Sequence, residues 1–232
     1  MKTIGIIGGL GPETTLEYYR IITKGYQERK GGHNYPRVVI QSLNLGEFLE
    51  LAEMNEWSQI AGRLIESAHV LERAGADFAL IASNTPHKVF DEVRAGSPIP
   101  VLSIVEATLN RCEQKKVGKV GLFGTGFTMR SDYYQKVIAR AGIDVVVPEA
   151  DEQAYIHNKI FDELVHGRLK KETREGLYLI AQRMIDELSI DGLILGCTEL
   201  PLIMDKETLG IPFFNTTRAH AEAAVAYCLA DS

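Results

Sequence analysis

Asp77-Phe78-Ala79-Leu80-Ile81-Ala82-Ser83-Asn84 returns later in the chain as Asp191-Gly192-Leu193-Ile194-Leu195-Gly196-Cys197-Thr198. Each copy runs from an aspartate through an unbroken apolar stretch to a small hydroxyl or thiol side chain. Such a run has no apolar/polar alternation, so it suits a strand covered on both faces, as in a parallel sheet. Two further blocks repeat in the same order. Ile4-Gly5-Ile6-Ile7-Gly8-Gly9 matches Val120-Gly121-Leu122-Phe123-Gly124-Thr125, and Ile99-Pro100-Val101-Leu102-Ser103 matches Ile211-Pro212-Phe213-Phe214-Asn215. From Ile4 to Val120, Ser83 to Cys197 and Pro100 to Pro212 the separations are 116, 114 and 112 residues. Any α/β unit can supply one "strand then glycine" coincidence. Three in order at nearly constant spacing point to two related halves.

Outward from these blocks, apolar runs alternate with amphipathic stretches. The expected strands are 3–7, 37–41, 78–82, 101–103, 119–123, 144–147, 192–195 and 213–214. The expected helices are 13–29, 57–74, 88–95, 105–115, 131–140, 152–165, 170–187 and 218–229. Within 57–74, Ile60, Leu64, Ala68 and Leu71 recur at helical spacing and form one apolar face. Strand–helix alternation implies an α/β fold. The repeat divides it into two pseudo-symmetric parallel-sheet halves, 1–103 plus 217–232 and 104–216, with the active site expected in the cleft between them. No Ser/Gly linker separates the halves, and the crossings fall near Ser103–Val105 and Asn215–Thr217.

The bulk properties narrow the function. The 232 residues are 45% hydrophobic and 24% charged, ordinary for a globular chain that can bury a core. A net charge of −6 argues against nucleic acid as a partner. The compact basic run Arg168, Lys170 and Lys171 reads as a solvated helix end or loop. No apolar stretch approaches the ~18 residues of a membrane span, and the opening apolar run, broken by glycines, does not read as a signal peptide. Cys112, Cys197 and Cys228 are three widely spaced cysteines without a CxxC pair. Neither a zinc site nor a disulfide framework is expected, and a cytoplasmic location follows. His33, His157 and His166 show no metal-ligand spacing, and His69 and His220 read as structural.

In open parallel sheets ligands bind at the carboxyl ends of strands. The repeat therefore points to Gly8–Thr14 with Gly124–Thr128, Ser83–Thr85 with Cys197–Glu199, and Ser103 with Asn215–Thr217. The Gly8-Gly9-Leu10-Gly11-Pro12 loop is neither a dinucleotide fingerprint nor a phosphate-binding Walker loop. It reads as a tight turn or as a seat for a small anion. Cys197, at a strand end facing a helix start, is placed to carry a lowered pKa and a thiolate. Cys112 and Cys228, within helices, read as structural. Glu199 has two open readings: a helix-start acid favoured by the dipole, or a group that orients a substrate ammonium or relays a proton at Cys197. His87, after Pro86, reads as a cap or a support for the site by hydrogen bonding.

Three segments together resemble the signature blocks of aspartate/glutamate racemases: Ile6-Ile7-Gly8-Gly9-Leu10-Gly11-Pro12, Ser83-Asn84-Thr85-Pro86-His87 and Gly196-Cys197-Thr198-Glu199-Leu200-Pro201. Pro148-Glu149-Ala150-Asp151-Glu152-Gln153 resembles that family's acidic segment, and the resemblance runs essentially end to end. It implies a cofactor-independent isomerase, a homodimer, and a small acidic amino acid, aspartate or glutamate, as substrate. It also implies two side chains on opposite faces of the substrate Cα, Cys197 on the L face and Ser83 opposite. Leu10, Asn84, Thr85, Thr125, Thr198 and Glu199 would contact the substrate, with donors stabilising the developing enediolate.

Ser83 stands where the resemblance sets a cysteine, and a hydroxyl is a much poorer base than a thiol. Three readings stay open: a natural hydroxyl, an engineered change, or the mark of one-sided chemistry through Cys197 alone, as in decarboxylases. A non-catalytic amino-acid-binding regulator is the remaining alternative. No basic residue in Asn44-Leu45-Gly46-Glu47 or Leu164-Val165-His166 matches the side-chain carboxylate anchors of some aspartate racemases, so neutral amino acids stay open as substrates.

Overall fold

The computed structural model describes residues 1–204 and 209–230; the parts of the two expected halves at 205–208 and 231–232 lie outside them. The chain opens with β1 (Ile4–Gly8), α1 (Pro12–Lys30), β2 (Val38–Ser42), α2 (Leu45–Glu53) and α3 (Trp57–Arg73). It continues through β3 (Phe78–Ile81), a 3₁₀ turn Thr85–Val89, α4 (Phe90–Gly96), β4 (Val101–Leu102) and α5 (Ile104–Lys115). Next come β5 (Lys119–Gly124), α6 (Gly126–Met129), α7 (Tyr133–Ile138), β6 (Asp144–Val146) and α8 (Ala150–Asp162). The last elements are α9 (Lys171–Leu188), β7 (Gly192–Gly196), α10 (Leu200–Ile203), β8 (Phe213–Asn215) and α11 (Thr216–Leu229).

Contacts divide the chain into two units, Met1–Ile104 with the segment from Thr217, and Val105–Thr216. Each holds one four-stranded parallel sheet, in the orders β2-β1-β3-β4 and β6-β5-β7-β8. The repeated blocks lie on equivalent strands in equivalent register. Ile4 pairs with Phe78 and Val120 with Gly192; Ala79 pairs with Val101 and Leu193 with Phe213.

In the first unit β1 and β3 are buried throughout. Ile4, Ile6, Phe78 and Leu80 pack with Tyr18 and Ile22 of α1 and with Ala221, Ala224 and Val225 of α11. On the opposite face α3 comes so close that a Cβ on Gly5 would stand 3.0 Å from Leu71. In the second unit Phe123, Leu193 and Leu195 pack under Ile156 and Ile160 of α8 and Leu177, Ala181 and Met184 of α9. Among the described residues no helix is long and apolar enough to cross a membrane.

Several expected boundaries shift for local reasons. Helix α2 was not expected; Asn44 caps it by accepting the Gly46 N–H, and Phe48, Leu51 and Ala52 form its buried face. Helix α8 starts two residues early because Glu149 and Glu152 close a capping box, and it ends at Asp162 rather than 165. There the buried Glu163 carboxylate accepts from Lys159, Lys170 and Thr173, drawing its pKa down to about 2 and ending the basic run as the start of α9. The stretch expected as a helix over 131–140 is α7 followed by a 3₁₀ turn, and the one expected over 88–95 is the 3₁₀ turn Thr85–Val89 followed by α4.

Two buried histidines tie the ends of this first sheet to its helices. His220 Nε2 donates to the Leu102 carbonyl (3.1 Å), so Nδ1 accepts from the Tyr18 hydroxyl (2.9 Å). His87 Nδ1 donates to the Ser83 carbonyl (2.9 Å) while Nε2 accepts the Ile104 N–H (3.1 Å). The rings meet edge to face with centroids 5.9 Å apart. Burial drives both imidazoles toward neutrality, that of His220 to a pKa of about 4. The unfolded chain takes up these protons near pH 6.5 and the folded one does not, so stability is lost as pH falls through that value. Between pH 6.5 and 4 urea unfolding should show a loss of about 1.4 kcal/mol per pH unit for each such histidine. His220→Gln should be less stable at pH 7.5 but show a pH slope shallower by about one proton; an unchanged slope would place the uptake elsewhere.

Candidate active site

All strands of a parallel sheet deliver their carboxyl ends to one edge, and each sheet carries half of the expected site residues there. After β1 the chain turns at Gly9 (φ +80°), where a Cβ would stand 2.1 Å from the Leu43 carbonyl oxygen. The Gly9 N–H donates to Thr15 Oγ1 at 2.9 Å, and Thr15 in turn donates to the Gly11 carbonyl. With that amide engaged, the loop takes the form of the tight strand-to-helix turn, and Leu10 is buried within it.

After β3, Ser83 is half-buried and Asn84 buried, with Thr85 opening the 3₁₀ turn. Among the described residues no side chain hydrogen-bonds the Ser83 hydroxyl. His87 acts on the Ser83 carbonyl instead and stacks on Phe90 with ring centroids 4.9 Å apart. His87 therefore braces the backbone of the Ser83 turn. Ser103, just past β4, is buried.

The second sheet surrounds Cys197 with polar groups. Its Sγ–H donates to Glu199 Oε2 at 2.8 Å, and Thr198 Oγ1 donates to the same oxygen at 2.9 Å. Burial, then the Glu199 charge and this hydrogen bond, raise the Cys197 pKa well above that of a free thiol. The backbone amides of Glu199 and Thr198 pull the other way, less strongly. The thiolate expected from the strand-end position is thus not the resting form: α10 is four residues long, and the adjacent carboxylate outweighs its amides. Glu199 stands at the N-cap of α10, and its carboxylate accepts from Cys197 and Thr198 rather than capping the helix with its side chain.

After β5, Thr125 accepts the Thr128 N–H and begins α6. Thr128 is hydrogen-bonded to Tyr133, whose pKa is raised by burial and, to a lesser extent, by Cys197. His157, on α8, accepts the Gly126 N–H through Nδ1 at 3.1 Å. Tyr133, His157 and nearby Arg130 carry no signal in the repeat, because each reaches the strand ends from a different helix or helix cap. Cys112 and Cys228 are buried, Cys228 donating to the Lys2 carbonyl, and burial pushes the Cys112 thiol up to about 12. Among the described residues no group of His, Cys, Asp and Glu could hold a metal ion.

The family model for Asp/Glu/Hydantoin racemase matches residues 7–224. The broad specificity amino-acid racemase RacX of Bacillus subtilis (strain 168) is 26% identical over 232 residues, 98% of each chain. An aspartate racemase homologue from Pyrococcus horikoshii OT3 is 38% identical, with TM-score 0.86 over 98% of this chain and 99% of that one. A candidate Asp/Glu racemase from Yersinia pestis is 31% identical, with TM-score 0.91 over 99% and 100%. With the repeated parallel sheets and the polar strand ends on which Ser83 and Cys197 stand, these matches show that the chain belongs to the Asp/Glu/hydantoin racemase family.

Proposed function

We propose that the chain interconverts the enantiomers of an acidic amino acid, aspartate or glutamate, by removing and returning the α-proton without a cofactor. The observation that carries this reading is the Cys197 thiol bound to Glu199 at 2.8 Å, at a strand end equivalent to that of Ser83. From the L enantiomer, the Glu199 carboxylate takes the thiol proton and the thiolate takes the α-proton. Asn84, Thr85, Thr125 and Thr198 are the donors for the charge that develops on the α-carboxylate. The Ser83 hydroxyl then protonates the opposite face; the site resets as Glu199 releases its proton to solvent and Ser83 regains one from solvent. In the reverse direction Ser83 must act as base, with no side-chain partner among the described residues to activate it. The reading requires Ser83 and Cys197 to meet opposite faces of one planar intermediate, and it includes a cytoplasmic homodimer.

The missing partner for Ser83 also favours a second reading, one-sided chemistry through Cys197. In deuterated buffer without added cofactor, L-aspartate or L-glutamate should lose its α-proton signal and the D form should accumulate. The D enantiomer should exchange more slowly. Exchange of the L form without inversion would support the one-sided reading, and no exchange with any of the four enantiomers would sink both.

Cys197→Ala should slow exchange of the L form by about 10²–10⁴-fold. Ser83→Cys should speed exchange of the D form by about tenfold or more; no gain there would remove Ser83 from the mechanism. Glu199→Gln takes away the charge that raises the Cys197 pKa. Alkylation of Cys197, located by mass spectrometry, should therefore begin at lower pH in that variant, while turnover falls. An unmoved alkylation profile would reduce Glu199 to a structural acid.

A further inference from the structure

The loop after β5 carries a cation that the proton transfers do not use. Arg130 closes α6 and is exposed, yet its guanidinium folds back over the start of the same helix. A Cβ on Gly126 would stand 2.5 Å from Nη1 and 2.9 Å from Nη2, so the guanidinium fills space that only glycine leaves. Among the described residues no carboxylate pairs with it. His157 stands beside it. Its Nδ1 accepts the Gly126 N–H, so the neutral ring keeps its proton on Nε2 as a donor. Burial and then the Arg130 charge hold that ring neutral, against a smaller opposite pull from Asp162. Phe127 and Phe161 pack against it, with ring centroids 6.3 and 4.8 Å away.

This cation is linked to Cys197 within one unit. Gly126 follows Thr125, Thr125 Oγ1 lies 3.3 Å from Thr128 Oγ1, and Thr128 is bonded to Tyr133, which feels the charge of Cys197. An unpaired guanidinium with an N–H donor next to it is the donor set that a carboxylate takes bidentately. We propose that Arg130, with His157 Nε2–H beside it, is the subsite for the distal carboxylate of an acidic amino acid whose α-carbon lies at Cys197. The proposal rests on the racemase reading for its substrate. It supplies from α6 the cation that segments 44–47 and 164–166 lack.

The test compares L-glutamate with L-glutamine, both by α-proton exchange and by calorimetric binding, in wild type, Arg130→Gln and Arg130→Lys. Thermal melting of each variant checks that it folds. The kcat/KM ratio of glutamate over glutamine should fall by roughly 30-fold or more in Arg130→Gln, most of it in KM, with Arg130→Lys intermediate. An unchanged ratio in the folded variants overturns the subsite while leaving the racemase reading intact, as does a wild type that exchanges glutamine as readily as glutamate. Arg130-dependent glutamate binding without any exchange would keep the subsite and remove the racemase reading. No binding of either ligand by wild type overturns both.

Discussion

A parallel sheet has one edge at which every strand ends in the same direction, and most of this protein's chemistry is confined to that edge. The central strands β1, β3, β5 and β7 are buried on both faces, so their side chains are committed to packing. What remains for function is the one or two residues past each strand, where the chain must turn toward a helix. Gly8 and Gly124 are glycines because the next helix brings a threonine down onto them: a Cβ would meet Thr15 at 2.5 Å in one sheet and Thr128 at 3.1 Å in the other. The same close packing sets the direction in which Thr125 and the Gly9 turn leave the sheet.

The two equivalent strand ends have been given opposite electrostatic surroundings. Cys197 donates to a carboxylate, and burial together with that charge keeps the proton on sulfur. Near Ser83, His87 is turned to the backbone: its Nδ1 proton is committed to the Ser83 carbonyl and its Nε2 lone pair to the Ile104 amide. That imidazole has no free nitrogen with which to deprotonate a hydroxyl. At one end a thiol is bonded to a carboxylate, and at the other an imidazole braces the backbone.

Much of this was legible in the sequence because repetition and burial leave strong marks. The offsets between the three matched blocks reappear as identical strand orders and equivalent registers, since a buried parallel strand tolerates few side chains. Cys197 and Ser83 could be placed because they stand within two residues of the ends of such strands. The protonation state of Cys197 could not: its strand-end position argued for a thiolate, and the distance from Sγ to Glu199 decided otherwise. Arg130 and Tyr133 were hidden for another reason. Their positions depend on where α6 stops and α7 starts, and four- and six-residue helices have too few turns to show a period. Helix α2 had a readable cap at Asn44 and an apolar face, and was lost among polar neighbours.

The equal strand orders of the two units have a consequence for how such a protein can change. A half-length chain that worked only by pairing with its own copy would carry every mutation twice, and its two strand-end positions would always be the same residue. Joining the copies in one gene removes that bond. Each position can then drift alone, so a thiol with a carboxylate partner and a bare hydroxyl can coexist. The side chain at each strand end becomes a trait that selection can adjust one residue at a time, with the scaffold held constant.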